Sequence, residues 1–399
     1  MKIIKTQVGI IGAGPAGLLL GQMLQNRNIE TVIIENKDRE YVRTRLRAGV
    51  QEQETADTFV AEGVGENIQK KGIVHDGKYL FFDNQKHYLN TKKLTGKSII
   101  IYGQQEITCD MIDVREAAGL PLFFEAKATK ITDIVEDKAR IYYTHNDEEC
   151  MIECDYVAGC DGFHGISRHH IPKTMQKIYT HEFPFAWFGV LAGAPPACPE
   201  VAYAHSEHGF ALQSMRGKDI SRLYIQAPPD EKIKEWSEDQ YFDEFERRLG
   251  AGYKVNRGPI IERTLAQIRS YVSEPMRYGR LFLVGDSSHI VPATGAKGMN
   301  LAVADARVLS AGLSQHYHKN SDALLNQYSE ICLYRIWIVE RYTWWFTMTM
   351  HKVEGQSEFE TKMQLATLHY LTSSTAGGQS LAENYVGLPF YLRDTARPD

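Results

Sequence analysis

QVGIIGAGPAG at residues 7–17, continued by LLLGQMLQNRN at 18–28 and closed by TVIIE at 31–35, decides the fold. A short apolar run, a glycine turn, a helix-period stretch and a second β-branched run make a βαβ unit. Gly12, Gly14 and Gly17 fit G-x-G-x-x-G. The first glycine permits the tight turn, the second lets a pyrophosphate approach the backbone, and the third lets helix and strand pack closely. Free N–H groups at the helix start then face the phosphates. A merely tight βα turn would need the glycines but not Glu35, which ends the second strand where a carboxylate can accept ribose hydroxyls. The unit therefore reads as a dinucleotide site, with FAD or a nicotinamide still open.

The far end of the chain separates those two. RLFLVGDSSHIVPATGAKGMNLAVADA (280–306) places Asp286 at the end of a buried strand, then a Gly-rich loop, then a helix starting near Gly298. A carboxylate there suits a ribitol hydroxyl, and a helix N-terminus suits the negative charge of a reduced isoalloxazine. Lys297 adds a positive charge, although a solvated lysine is its plainer reading. A further Asp-Gly turn, Asp161-Gly162 in GCDGFHGISR (159–168), follows the apolar strand DYVAG.

Between these ends the text alternates: KYLFFD, HYL and SIIIYG after residue 77, then residues 183–227. Ser237 with Gln240 reads as a capping box, and Tyr241, Phe245 and Leu249 share one helical face before Gly250 ends it. The expected class is mixed α/β. A discontinuous Rossmann-like FAD-binding domain (1–75, 101–180, 276–345) would hold an inserted, mostly antiparallel substrate sheet (76–100, 181–275). A helical C-terminal region (346–399) would follow.

Composition narrows the function classes. With 399 residues, 43% hydrophobic and 24% charged, the chain can bury a large core and leaves no room for extensive disorder. A net charge of -5 without a long basic run argues against nucleic acid. Cys109, Cys150, Cys154, Cys160, Cys198 and Cys332 form no C-x2-C pair, so reduced cytoplasmic thiols are expected rather than a metal site. Pro15 and the glycines break the apolar N-terminus against a signal-peptide reading. Arg335, Glu340 and Arg341 interrupt residues 334–350 short of the ~20 apolar residues of a membrane span.

The motifs GAGPAG, CDG and GD…P…G together resemble the class A flavoprotein aromatic hydroxylases. RLRAGV (45–50), YGQ (102–104), CDGFHGISR, FALQSMR (210–216), HIVPATGAKGMN (289–300) and ENYVGLP (383–389) extend the resemblance over essentially the whole chain. It implies FAD as cofactor, NADPH, with NADH also used, and O2 as co-substrates, and a cytoplasmic homodimer. The implied reaction hydroxylates 4-hydroxybenzoate ortho to its phenol oxygen, through a flavin C4a-hydroperoxide, to give 3,4-dihydroxybenzoate.

The resemblance also implies roles. FAD would contact Gly12, Gly14, Gly17, Glu35, Arg45, Leu46, Arg47, Ala48, Gly49, Val50 and Gln104. At the other motifs it would meet Asp161, Gly162, Asp286, Lys297, Gly298 and the backbone of Met299 and Asn300, with Arg222 helping to set the flavin position. Ser214, Met215, Arg216 and Tyr224 would hold the substrate carboxylate end, with Arg47 near the entrance. Tyr203 would hydrogen-bond the phenol oxygen, and Tyr385 and His75 would pass its proton to solvent. His164, Arg168 and Arg269 would meet the nicotinamide cofactor. One departure stands out: the family commonly has two prolines before the Thr-Gly of the late loop, and this chain has Pro292-Ala293. The carbonyl at Ala293 survives the change, but its rigidity does not.

The chemistry fits these residue types. An arginine fork with a hydroxyl is equipped to read a carboxylate. Period-two spacing pairs Ser214 with Arg216 on one strand face and Arg222 with Tyr224 on the next. A three-residue turn at 217–219 would bring both faces to the same side, and a four-residue turn would not. Electrophilic oxygen transfer needs a phenolate, for which a tyrosine donor and a titrating histidine have complementary jobs. A carboxylate reader does not distinguish a para hydroxyl from an amine, so 4-aminobenzoate or another substituted benzoate is an alternative substrate. A non-catalytic flavin-binding protein is the alternative from another class. Lys37, Arg39, Tyr41 and Arg43 could pair with the 2′-phosphate of NADPH or be a solvated charged stretch.

Overall fold

A computed structural model describes residues 1–45, 49–250 and 252–389. The expectations for Leu46, Arg47 and Ala48, and for the last ten residues of the chain, lie outside the described residues. Strand Lys2–Ile11, helix Pro15–Gln25 and strand Thr31–Ile34 form the first βαβ unit. Lys2–Ile11 pairs in parallel with Thr31–Ile34 on one side and with Glu148–Gly159 on the other, and Leu281–Leu283 extends that sheet in parallel. Strands from three separated stretches of sequence thus build one nucleotide-type sheet. Val8, Ile10, Leu18, Leu19, Ile33, Phe282 and Leu301 share its buried core.

A second eight-stranded sheet takes Lys78–Phe82 and Gln85–Leu89 together with strands drawn from residues 177–290. It is antiparallel except where Ala202–Ala204 joins Lys78–Phe82 in parallel, so one crossover interrupts the antiparallel pattern expected from alternation. The SIIIYG segment does not enter it. Ile99–Ile101 instead pairs antiparallel with Val50–Glu52 and Ile73–His75 in a small third sheet.

Helix Glu238–Leu249 covers one face of the second sheet. It starts at the Ser237–Gln240 capping box, ends at Gly250 with φ 67°, and buries Tyr241, Phe245 and Leu249 against Phe188, Ala204 and Ile225. The opposite face, carrying Leu80, Tyr203 and Leu212, packs on Tyr342, Phe346 and Tyr385 of the C-terminal helices Ala323–Met350 and Thr375–Val386. No helix among the described residues is long and apolar enough to cross a membrane.

Glu340 of the Ala323–Met350 helix is buried beside Thr343, and burial pushes its carboxyl up to about 7. The protonated form is thus favoured on folding, a stabilisation complete below the ordinary carboxyl range and lost as pH rises through about 7. Glu340→Gln is expected to remove up to about 3 kcal/mol of this pH dependence. Denaturant unfolding at pH 5 and pH 8 measures it, and parallel pH profiles in parent and variant would contradict it.

Candidate active site

The glycine turn has the shape its sequence requires. Gly12 has φ +106°, and a Cβ on it would fall 2.3 Å from the Cys160 carbonyl. A Cβ on Gly17 would fall 2.0 Å from the Gly12 carbonyl, whereas one on Gly14 would meet nothing within 4 Å. The outer glycines are therefore needed for packing, and the middle one leaves open space beside the start of the helix. No side chain caps that helix, nor the helix Gly298–Lys319, so both offer free first-turn N–H groups. Gly298 also faces open space.

The acidic residues differ in how far they are engaged. Glu35 accepts from the backbone N–H of Ala13 (2.8 Å) and Lys37 (2.9 Å), which fixes its carboxylate beside the turn. Asp286 is exposed at the tip of the Leu281–Leu283 strand. Asp161 accepts from the Ser167 N–H and hydroxyl at 2.9 Å each; burial raises its carboxyl, and its other oxygen is buried without a partner. Gly49 accepts from Tyr102 N–H, and Gln104 opens the helix Gln104–Ala117. Open glycine faces, uncapped helix starts and a free carboxylate form a cradle that fits a dinucleotide.

Lys297 is not the solvated lysine of its plainer reading. It is 2% exposed, donating to Glu52 (2.8 Å) and to the Tyr385 carbonyl (2.7 Å). Arg335 meets the other oxygen of Glu52 at 3.3 Å. Asn300 pins the same segment, accepting from Glu52 N–H and donating to the Val50 carbonyl. Glu52 had no sequence motif to mark it. Its importance appears only when residues 245 positions apart are brought together.

The substrate-side residues share one face of the second sheet. Arg216 N–H donates to the Ile220 carbonyl at 2.9 Å, closing a three-residue turn, and Ser214 lies opposite Arg222. Leu80, Tyr203, Leu212, Tyr224 and Gly189 form a row across five strands. A Cβ on Gly189 would sit 2.6 Å from the Tyr224 ring, so glycine there lets that ring lie across the neighbouring strand. Ser214, Arg216, Arg222, Tyr203 and Tyr224 therefore all project the same way.

Arg216 is held at the end of this face by a bond to the Met215 carbonyl (2.9 Å) and a long contact to the Ser214 hydroxyl (3.5 Å). No carboxylate bonds it among the described residues. Arg222 is already engaged, by Glu262 (3.2 Å) and Thr264 (2.8 Å), and its guanidinium stands 5.1 Å over the Tyr224 ring. Its Nε is buried without a partner.

The Tyr203 hydroxyl donates to the Thr294 carbonyl at 3.2 Å, in the loop where Ala293 itself is exposed. Burial raises the Tyr203 phenol, so it stays protonated and able to donate. The Tyr385 ring stands edge-on to Tyr203 at 6.4 Å, and its hydroxyl is buried without a partner. His75 differs from the expected solvent link. It is 0% exposed, its Nε2 is 3.2 Å from the Met215 sulfur, its Nδ1 is unpartnered, and burial holds it down at about 4. The small sheet containing Ile73–His75 carries the ring inward, away from solvent.

The nicotinamide-side residues gather around one ring that sequence reading passed over. Phe163 has the Arg269 guanidinium at 4.0 Å and that of Arg168 at 4.3 Å from its centroid, and His164 edge-on at 5.2 Å. One Arg168 nitrogen is buried and unpartnered. Of the other basic cluster, Arg39 is bound to Glu116 (2.7 and 2.8 Å) and Arg43 to Asp113 (2.5 and 3.3 Å). Those pairs tie helix Arg39–Thr44 to helix Gln104–Ala117 and neutralise two of the three cations of the expected 2′-phosphate reader. Lys37 remains, 5.4 Å from the Tyr41 ring, which Arg45, an expected FAD contact, also approaches at 5.6 Å.

Comparison with known proteins agrees with this geometry. The family model described as FAD binding domain matches residues 5–343. The chain is 45% identical to p-hydroxybenzoate hydroxylase of Acinetobacter baylyi over 396 residues, 98% of each chain. It is 24% identical to kynurenine 3-monooxygenase of Candida albicans, over 82% of this chain and 78% of that one. Among solved structures, p-nitrophenol 4-monooxygenase from Pseudomonas putida matches with a TM-score of 0.83 at 16% identity, covering 98% of this chain and 100% of the other. An aklavinone-11 hydroxylase complex with FAD and aklavinone matches with a TM-score of 0.71 at 16% identity, over 87% and 69%.

Proposed function

Because the chain belongs to the FAD binding domain family, we propose that it is a flavoprotein monooxygenase that hydroxylates 4-hydroxybenzoate to 3,4-dihydroxybenzoate with NADPH and O2. The observation that carries this reading is the 45% identity to p-hydroxybenzoate hydroxylase over 98% of both chains. FAD would lie along the Gly12–Gly17 turn and the start of the Gly298–Lys319 helix, beside Glu35 and Asp286. When bound it supplies the redox chemistry that takes hydride from the nicotinamide and delivers one oxygen atom to the ring.

The chain's own groups do the rest. Arg216 and Ser214 bind the substrate carboxylate with a charged fork and a hydroxyl, and Tyr224, stacked under Arg222, lines the same face. Tyr203 donates to the phenol oxygen and stabilises its anion, which makes the ring electron-rich. Tyr385 stands next to it as the neighbouring hydroxyl through which the phenol proton moves. Packing of the C-terminal helices over this face keeps water out.

The reading is tested by following nicotinamide oxidation and aromatic product together over a panel of benzoates. Near-equal amounts are expected with 4-hydroxybenzoate. Tighter coupling with 4-aminobenzoate, or oxidation without aromatic product on every substrate, would overturn it.

The Phe163 cluster supports a nicotinamide site, since two guanidiniums that bond no carboxylate among the described residues flank one ring. Arg269→Ala is expected to raise the Michaelis constant for NADPH about ten-fold, from loss of a charge-assisted contact worth ~1.5 kcal/mol, while leaving substrate affinity unchanged. Arg39→Ala should change it little, because Arg39 is spent on Glu116. Steady-state kinetics on both variants separates the clusters, and the opposite ranking would return the cofactor to the Arg39–Thr44 helix.

A further inference from the structure

The turn Ala293–Gly295 meets the substrate face on one side and the helix Ala323–Met350 on the other. Its contact with the substrate face is the Thr294 carbonyl, which accepts from the Tyr203 hydroxyl at 3.2 Å. A hydroxyl bonded to an oxygen settles at about 2.7 to 2.8 Å when nothing restrains it, so this bond is held long. The restraint lies on the other side of the turn.

Thr294, Thr343 and Thr347 are fully buried. The Thr347 hydroxyl lies 2.8 Å from the Thr294 hydroxyl and 2.7 Å from the Thr343 carbonyl, one helical turn back. A hydroxyl has one proton and that carbonyl can only accept, so Thr347 donates to the carbonyl and accepts from Thr294. A Cβ on Gly295 would fall 2.5 Å from Thr343 Cγ2, so the turn lies directly against the helix. The helix is itself fixed, because Tyr342, Phe346 and Met350 are buried in the same cluster as Tyr203. Ala293 has no ring to fix its φ, and the tie at Thr294 supplies the rigidity that residue 293 does not.

Resting on the 4-hydroxybenzoate reading, we propose that Thr347 is a positioning residue that keeps the Tyr203 hydroxyl available to the phenol oxygen. Tyr203 has a single proton to donate, and the Thr294 carbonyl competes with the substrate for it. Anchored through Thr347, the carbonyl keeps only a long and weak hold, and the hydroxyl turns to the phenol oxygen as negative charge develops there. Without the anchor the turn is free to close on Tyr203 until that bond reaches its ordinary length. The carbonyl then holds the donor more tightly and brings the negative end of its own dipole nearer the phenolate. Both changes favour phenol over phenolate. Thr347, buried behind the turn, acts through Thr294 and Tyr203.

The test uses the FAD-loaded protein and 4-hydroxybenzoate, reading phenol against phenolate of the bound ligand by ultraviolet difference absorbance across pH. Thr347→Val keeps the shape of the side chain and removes the hydroxyl. In it the phenolate-to-phenol ratio is expected to fall about five-fold, and aromatic product per NADPH should fall with it. Thr347→Ser retains the hydroxyl and should keep the parent ratio. Thr294→Val cuts the same tie from the other end and leaves Thr347 bonded to the Thr343 carbonyl, so it should fold and match Thr347→Val. The double variant should then be no lower than either single one. Benzoate, which has no phenol oxygen, should bind the parent and every variant alike. A parent-like ratio in Thr347→Val and Thr294→Val would overturn the proposal while leaving the hydroxylase reading intact. An equal fall in Thr347→Ser, or additive falls in the double variant, would also overturn it, because either marks packing and not the tie. A parent that holds FAD but does not bind 4-hydroxybenzoate would overturn the substrate reading and the proposal with it.

Discussion

Tyr203→Phe should keep oxidising NADPH and consuming O2 but release mostly H2O2 in place of the dihydroxy acid. The two halves of the reaction ask different things of the site. Hydride transfer needs a bound aromatic acid, which Ser214 and Arg216 would still hold by its carboxylate. Oxygen transfer needs an electron-rich ring, and the lost hydroxyl is the donor to the phenol oxygen. Burial keeps that hydroxyl protonated, so at working pH it acts as a donor and not as a competing anion. One lost hydrogen bond to a charged group is worth about 1.5 to 3 kcal/mol, so hydroxylation should fall roughly ten-fold or more. The Thr294 carbonyl also loses its 3.2 Å donor, which adds a small cost in the apolar pocket. The deciding measurement is the ratio of aromatic product to NADPH consumed. If coupling in the variant equals that of the parent, Tyr203 is a packing tyrosine.

How much of this was legible in the sequence depended on the range of the forces involved. The roles of Gly12, Gly14 and Gly17 follow from local backbone geometry, and each appears as expected: one at positive φ, one against open space, one under the helix. The Ser237 capping box and the three-residue turn at 217–219 are equally local. The pairings that tune the site are not. Glu52 reaches Lys297 across 245 positions, and Glu116 and Asp113 neutralise Arg39 and Arg43 from a helix some 70 positions away. A charge can be read from sequence, but whether it is free cannot. The burial of His75 was hidden for the same reason: its type suggests a group that titrates near working pH, and the small antiparallel sheet turns it inward.

Arg216→Lys is expected to weaken 4-hydroxybenzoate binding about thirty-fold while leaving FAD affinity unchanged. The guanidinium uses one nitrogen to grip the Met215 carbonyl at 2.9 Å, which fixes the plane of the fork at the end of the substrate face. No carboxylate among the described residues claims it, in contrast to Arg222 with Glu262. Burial lowers its pKa, yet from a range so high that it remains charged. A lysine can supply the charge but not the plane. If its ammonium keeps the Met215 carbonyl it loses the substrate, and if it turns to the substrate it leaves that carbonyl buried and unpaired. Either arrangement forfeits one charge-assisted bond, about 2 kcal/mol, which converts to the thirty-fold figure. Titration of flavin absorbance with 4-hydroxybenzoate reads the loss, and benzamide, lacking the carboxylate, serves as the control. Benzamide binding should be the same in parent and variant if the fork reads the carboxylate. Equal weakening of both ligands would mean that the substitution disturbs the pocket as a whole, and unchanged affinity for 4-hydroxybenzoate would remove Arg216 from the carboxylate site.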